Sequence, residues 1–507
     1  MLELASLVTR QARCRPHATA VVFEDTRLDW RAFSGRVARV GNALRALGLG
    51  RGDKVATLSG NSVELLETYW AVASIGAVLV PLSNLLMPAG LASLVEGSDA
   101  RALVAQRSML PVIDAIRDRL PRDILLTDGA APGCHDYHAL AAAQPDTLAP
   151  EPVGPDDVFN IMFSSGTTGQ PKGIVHTHFV RAMYCALMSS TFRMTPESRV
   201  LHSGAIVFNG AFIFLMPAFW LGATYVLQRQ FDPRGMLEAI ERERVTHVIL
   251  VPAQIVALLA APEFDARRLA SLECVLSLGA PLLQQHKDRL NAELPGRFHE
   301  LYGLTEGFVT VLDRDDAVRK SGSVGRPPAF FDVRVLRDDG TEAAPGEVGE
   351  IVGRGPFAMT GYYRRPDLTA QTMRDGWILS GDVGFLDDEG FLTLVDRKKD
   401  MIDSAGVKVY PRDVEEVAAR HPDVLEVAVF GVPHPERGET PLAAVVLRAG
   451  ARTSAESLRD WINERVAARY QRVSAVEVLE AFPRNAAGKT LKRELRDPHW
   501  SAHGRRI

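Results

Sequence analysis

The densest chemistry in the chain sits at Ser164-Ser-Gly-Thr-Thr-Gly-Gln-Pro-Lys172-Gly173. Gly166 and Gly169 let backbone N–H groups approach an anion with no Cβ in the way. Ser164, Ser165, Thr167 and Thr168 add hydroxyl donors, and Lys172 adds a positive charge. A strand pattern at residues 159–163 precedes the loop and sets it at the carboxyl edge of a sheet, where ligands bind. The loop reads as a phosphate cradle. It is not a Walker A loop, because Gly-Lys-Ser/Thr never follows at that spacing. Gly488-Lys489-Thr490 mimics the ending, but no Gly-rich loop precedes it. Gly353-Arg-Gly-Pro-Phe-Ala358 fits a dinucleotide fingerprint in letters only, since no helix pattern follows. His299-Glu300 lacks a second His at position 303, where Gly stands, so it is no zinc-protease pair.

The phosphate loop resembles that of adenylate-forming (AMP-binding) enzymes, of the acyl- or aryl-CoA synthetase type. The resemblance extends over nearly the whole chain. Tyr302-Gly-Leu-Thr-Glu306 matches the family's second signature, with Ser277-Leu-Gly279-Ala280-Pro281 upstream at the family's spacing. An aromatic ring can stack on adenine, a hydroxyl can bond a phosphate and a carboxylate can hold Mg²⁺. Gly376-Trp-Ile-Leu-Ser-Gly-Asp382 resembles the ribose signature, and Asp396-Arg397-Lys-Lys399-Asp400 the hinge. Pro483-Arg-Asn-Ala-Ala-Gly-Lys489-Thr-Leu-Lys-Arg493 resembles the C-terminal signature whose Lys is catalytic. Ser164 and Ser380 replace the usual Thr, Pro483 replaces Gly, and Ala405 replaces the first Gly of a Gly-Gly pair.

The resemblance implies site residues. Ser164 through Gly169, with Lys172, would hold the ATP phosphates. Gly279, Ala280, Pro281, Tyr302 and Gly303 would line the adenine side, and the Thr305 hydroxyl would bond a phosphate. Asp382 and Arg397 would bond the ribose. Glu306 would bind Mg²⁺, and Lys489, Lys172, Thr305 and Glu306 would act in catalysis. Lys399 would be the pivot, with Ala405 and Gly406 on the coenzyme A tunnel. Val207, Phe208, Asn209 and Phe212 would wall the acid pocket, with Gly303, Gly307 and Phe308 opposite. The implied reaction joins a carboxylic acid to MgATP, giving acyl-AMP and pyrophosphate. A thiol then displaces AMP. Adenylation domains for amino acids need an anion for the α-ammonium group, and Asn209 stands in that segment. No carrier domain is expected, since the chain ends at Ile507, shortly after Arg493. Both points favour an apolar fatty or aromatic acid and coenzyme A. Loading of a carrier protein by a stand-alone adenylation enzyme is the alternative.

The elements that must position these residues alternate. Residues 30–47 and 62–75 have helix patterns, and 54–58 and 77–81 have strand patterns, which argues an α/β fold with mostly parallel strands. Residues 248–251 and 274–278 are further buried strands. From about 324 to 395 short β runs and Gly turns suggest a small β-barrel. After the charged stretch the chain reads as a compact α+β unit. The expected architecture is an N-terminal AMP-binding domain over 1–395, made of two α/β subdomains plus the barrel. A hinge at 396–400 and a mobile C-terminal domain over 401–507 follow.

Composition sets the bounds. The chain has 507 residues, with 46% apolar and 24% charged, a globular balance of more than one domain. Net charge is −4, from 58 basic and 62 acidic residues, so no basic field points to nucleic acid. Cys14, Cys134, Cys185 and Cys274 form no Cys-x-x-Cys pair. With no signal-peptide pattern at the start, a cytoplasmic protein is expected. Residues 200–228 carry no charged side chain, long enough to span a bilayer. Pro217 and three glycines favour a buried strand–helix–strand instead. The expected partners are a small-molecule acid, ATP and coenzyme A, with no transmembrane span. Loose membrane association and a homodimer stay open.

Overall fold

The computed structural model describes residues 4–164, 172–397, 400–404, 407–435, 437–484 and 490–501. Ser165, Gly166, Thr167, Thr168, Gly169, Lys399, Ala405, Gly406 and Lys489 lie outside the described residues, as does the side chain of Ser164.

A large N-terminal domain holds three sheets and a smaller C-terminal domain holds a fourth. The first two are eight-stranded. One carries the parallel strands Thr19–Phe23, Thr224–Leu227, Arg199–His202, His247–Leu250, Cys274–Leu278 and Phe298–Gly303, with antiparallel strands at both edges. In the other, Val158–Ser164 runs parallel to Val78–Leu82, and Lys172–Thr177 returns antiparallel to it. The strands at 54–58 and 274–278 fall at the expected bounds. Residues 55–58 and 274–277 are buried without alternation, as sheets covered on both faces require.

Helices Trp30–Ala46, Val63–Ser74 and Asn209–Leu221 lie in the shared core between the two sheets. Asp29 and Ser62 cap the first two, accepting from Ala32 N–H at 2.7 Å and Leu65 N–H at 3.1 Å. The uncharged run is strand, helix and strand. Its helix has 13 residues, and among the described residues no helix is long and apolar enough to cross a membrane. Phe219 packs on Trp30, Phe33 and Trp70, with centroids 5.4, 5.7 and 4.9 Å away. Phe214 and Phe219 are therefore core, which accounts for much of the run's hydrophobicity.

The expected small barrel is instead a five-stranded antiparallel sheet. Trp377–Leu386 pairs with Gly349–Arg354 on one side and with Leu392–Arg397 and Met373–Arg374 on the other. Among the described strands no pairing closes it. Turn spacing predicts hairpins, but it carries no information on closure. In the C-terminal domain the hairpin Val424–His434 and Gly438–Leu447 takes Val476–Leu479 as a parallel neighbour. Helices Pro411–Ala418 and Ala455–Asn463 bury Val414, Leu458 and Ile462 in its core.

Candidate active site

The parallel strands Arg199–His202, His247–Leu250, Cys274–Leu278 and Phe298–Gly303 deliver their following loops to one carboxyl edge. Gly279, Ala280 and Pro281 form one such loop. Gly279 has φ +90°, a value that side chains rarely allow. Gly210, in the first turn of the Asn209 helix, lies against Leu278, so a Cβ there would stand 2.9 Å from its Cδ1. The expected acid wall and adenine loop thus abut.

Three motif residues distant in sequence meet. Tyr302 donates its hydroxyl to Asp382 Oδ2 at 2.8 Å. Asp382 lies opposite Arg397 across its strand pair, with Arg397 Nε 3.5 Å from Oδ1. Ser380 fixes the turn: it accepts from Asp382 N–H at 3.0 Å and donates to the Ile351 carbonyl at 2.5 Å. Burial, then the Asp382 carboxylate, push the Tyr302 hydroxyl well above its usual range. It therefore stays a donor.

A second cluster gathers around Glu306. Tyr362 donates to Glu306 Oε1 at 2.8 Å, and Lys172 Nζ stands 5.0 Å from the centre of the Tyr362 ring. Tyr362 reaches this place because Gly361–Tyr362 pairs antiparallel with Lys172–Thr177. The Glu306 carbonyl accepts from Met359 N–H at 2.8 Å. Sequence reasoning missed Tyr362; its only local signal is an aromatic pair after Gly361.

Thr305 is held from behind. Its carbonyl accepts from His176 Nε2 at 2.8 Å. His176 Nδ1 faces two donors, Asn160 Nδ2 at 3.3 Å and Arg181 Nη2 at 3.1 Å. Nδ1 must then accept, so Nε2 carries the proton. Burial and the Arg181 cation hold the imidazole well below its usual pKa, so it is neutral. Arg181 Nε donates to Asn160 Oδ1 at 2.7 Å. Arg181 too was missed, because a basic residue in a helix pattern normally reads as solvated.

The expected acid wall is divided. Val207 and Phe212 are buried and Phe208 is partly exposed. A Cβ at Gly303 would stand 2.5 Å from the Phe308 carbonyl oxygen, and one at Gly307 would stand 2.3 Å from Ala358 Cα. Both positions need glycine for close backbone packing. Phe308 is fully buried, with Gly353 against its ring, so it serves the core here.

The C-terminal domain touches the strand that carries Arg397. Arg412 donates from Nη1 to the Leu394 carbonyl at 2.9 Å and from its N–H to Asp396 Oδ2 at 3.2 Å. Lys492 Nζ lies 2.6 Å from Glu415 Oε1. Burial lifts Asp396 to about 6, against the pull of Lys492.

Among the described residues no group of three or more His, Cys, Asp or Glu gathers for a metal. One carboxylate beside a phosphate cradle is nonetheless the donor set Mg²⁺ prefers, because it keeps waters and takes phosphate oxygens. Glu306 fits that pattern. The described residues can therefore offer a held carboxylate, Asp382, to a ribose, and the Lys172 cation with the Glu306 carboxylate to a metal-bound phosphate.

Comparison with known proteins agrees. The family model described as AMP-binding enzyme matches residues 8–363, and the AMP-binding enzyme C-terminal domain matches residues 413–489. A feruloyl-CoA synthase from Amycolatopsis sp is 38% identical, covering 97% of this chain and 98% of that one. An indoleacetate–CoA ligase from Aromatoleum aromaticum is 33% identical, covering 98% of each. ATP-bound MatB from Rhodopseudomonas palustris superposes with a TM-score of 0.90 at 28% identity, covering 98% of this chain and 99% of that one. The chain belongs to the AMP-binding enzyme family and is an AMP-forming acid–thiol ligase.

Proposed function

We propose that the protein is an ATP-dependent carboxylic acid–CoA ligase acting on an aromatic or fatty acid. The observation that carries this is the meeting of Tyr302, Asp382 and Arg397 beside Lys172, Tyr362 and Glu306. Two similar enzymes are named for aryl acids and coenzyme A, which supports an aromatic acid.

The chemistry follows in two steps. A carboxylate oxygen attacks the α-phosphorus, and the bond from that phosphorus to the β-bridging oxygen breaks. Pyrophosphate leaves with the electron pair, and the acid becomes an acyl-adenylate. Ser164, Ser165, Thr167 and Thr168 donate to the phosphates, and Lys172 and Lys489 stabilise charge gathering at phosphorus. Asp382 accepts from the ribose hydroxyls, and Tyr302 stacks on adenine. Mg²⁺ bound at Glu306 would neutralise phosphate charge. The thiol of coenzyme A then loses its proton and attacks the acyl carbon, and AMP departs.

The domain boundary is read at residues 396–400, with Lys399 as pivot between the two steps and Ala405-Gly406 on the thiol approach. The contacts of Arg412 with Leu394 and Asp396 support a hinge there. A cytoplasmic location accords with four free cysteines.

The test is incubation with ATP, Mg²⁺ and a panel of acids, with and without coenzyme A. Thioester formed with the free thiol from hexanoate or benzoate-like acids is expected. Adenylate accumulating with no response to coenzyme A would favour carrier-protein loading. Preference for acetate or an amino acid would overturn the acid class.

A further inference from the structure

Lys172 and Glu306 carry opposite charges, and both are partly exposed. Opposite charges gathered around one side chain ordinarily attract into an ion pair. These do not: among the described residues Lys172 meets no carboxylate and Glu306 meets no cation. Tyr362 stands at both instead. Its ring carries the Lys172 ammonium 5.0 Å from the centre, and its hydroxyl donates to Glu306 Oε1 at 2.8 Å. One buried side chain therefore holds a cation by its face and an anion by its tip.

The backbone fixes this tyrosine from several sides. Gly361–Tyr362 pairs antiparallel with Lys172–Thr177, which sets Tyr362 opposite Ile174. Thr360 N–H donates to the Val175 carbonyl at 3.1 Å, and Tyr363 N–H to the Gly173 carbonyl at 2.7 Å. Tyr362 N–H donates to Thr369 Oγ1 at 2.9 Å. Gly361 has φ +148°, and a Cβ there would stand 3.0 Å from the same oxygen. Tyr363 points to the other face, as alternation on a strand requires. Its hydroxyl donates to Asp99 Oδ2 at 2.7 Å, and Arg364 Nη2 lies 2.8 Å from that oxygen. Tyr363 is thus an anchor, and Tyr362 is presented to the site.

We propose that Tyr362 is a positioning residue that keeps Lys172 and Glu306 apart, so that each stays available to the nucleotide. This rests on the ATP-dependent reading of the site. A direct ion pair would have to break before the lysine could take a phosphate oxygen and the carboxylate a metal ion. A ring face and a neutral hydroxyl are weaker partners than an opposite charge, and they give way to the ligand at smaller cost. The two groups are held ready, which is preorganisation. Phenylalanine at this position offers the ring alone, and leucine offers neither contact. Neither the resemblance nor the comparisons assign Tyr362 a role.

The test measures binding of ATP without Mg²⁺ by titration calorimetry, with no acid present, so that neither turnover nor the metal enters. Tyr362→Leu is expected to raise the Kd by at least about 10-fold, because Lys172 then pairs with Glu306. Glu306→Gln removes that anion. It should tighten binding more in the Tyr362→Leu background than in the wild type, because there it also frees the lysine. A mere packing defect shows no such coupling, and the two effects then combine independently. Tyr362→Phe keeps the ring and should fall between, and it carries the same cycle if the leucine variant fails to fold. An unchanged Kd in Tyr362→Leu, or an equal gain from Glu306→Gln in both backgrounds, overturns the proposal. A wild-type protein that binds no ATP, with or without Mg²⁺, sinks the nucleotide reading itself.

Discussion

His176 and Thr305, 129 residues apart, are joined by one hydrogen bond of 2.8 Å from the imidazole Nε2 to the backbone carbonyl. The bond ties the strand after the phosphate loop to the loop carrying Thr305 and Glu306. Arg181 and Asn160 set its direction, since both donate to Nδ1. A neutral, oriented imidazole thus fixes a backbone segment that is proposed to meet the phosphates.

His176→Ala removes that donor and leaves the Thr305 carbonyl short of a partner. A displacement of about 1 Å in such a segment can cost on the order of 10² in rate. Pyrophosphate exchange driven by the acid is expected to fall by about that factor, mainly in kcat. His176→Asn can restore one donor and should recover part of the loss. Unchanged exchange in His176→Ala would separate the imidazole from the chemistry.

Asp382 is proposed to accept from the ribose while Tyr302 and Arg397 hold it. Hydrogen bonds to a charged group contribute about 1.5–3 kcal/mol each, so Asp382→Ala should raise the KM for ATP by roughly 10–100-fold. Tyr302→Phe removes the 2.8 Å bond that orients the carboxylate and should give a smaller rise. Steady-state kinetics at saturating acid measures both. Equal KM for ATP in wild type and Asp382→Ala would remove the aspartate from the nucleotide site.

Much of this was legible in the chain because it is local. Strand ends at 54–58 and 274–278 follow from apolar runs bounded by turns, and the helix ends at 29 and 62 follow from capping side chains. Tyr302, Asp382 and Arg397 were legible as members of short motifs. What escaped depends on pairing between distant segments. Tyr362 reaches Glu306 only because a two-residue strand docks on Lys172–Thr177. His176 reaches the Thr305 carbonyl from 129 residues away, and nothing near it in sequence shows that contact. Phe308 read as pocket wall, yet Gly353 leaves the room that makes it core. Sheet closure escaped for the same reason.

Lys489 and Lys399 can be separated by half-reaction. Loss of one preorganised donor to a developing charge typically costs about 10²–10³ in rate. Lys489→Ala should lower adenylation by at least that, while thioester formation from supplied acyl-adenylate survives. Equal loss of both halves would contradict the role. Lys399→Pro fixes φ at the proposed pivot and should slow the thioester step more than adenylation. Unchanged partitioning would move the pivot elsewhere.

Buried imidazoles predict how stability follows pH. Burial pulls His178, His202 and His299 each down to about 4. In the unfolded chain each protonates near 6.5, while the folded chain keeps it neutral down to about 4. The unfolded state therefore binds more protons in that window, and stability is lost as pH falls from about 6.5 towards 4. At pH 5 each imidazole accounts for about 2 kcal/mol of loss. Asp396 works the other way: held up at about 6, its ionisation costs stability as pH rises from about 4 to 6. Burial likewise lowers His286 to about 4 and holds Glu67 up at about 7; four imidazoles outweigh two carboxyls, so Tm should fall from pH 7.5 to pH 5. His202→Gln should remove one imidazole's share of the slope. A Tm that is level across that range, or a slope that His202→Gln leaves untouched, would show that these histidines titrate in the folded protein as they do in water.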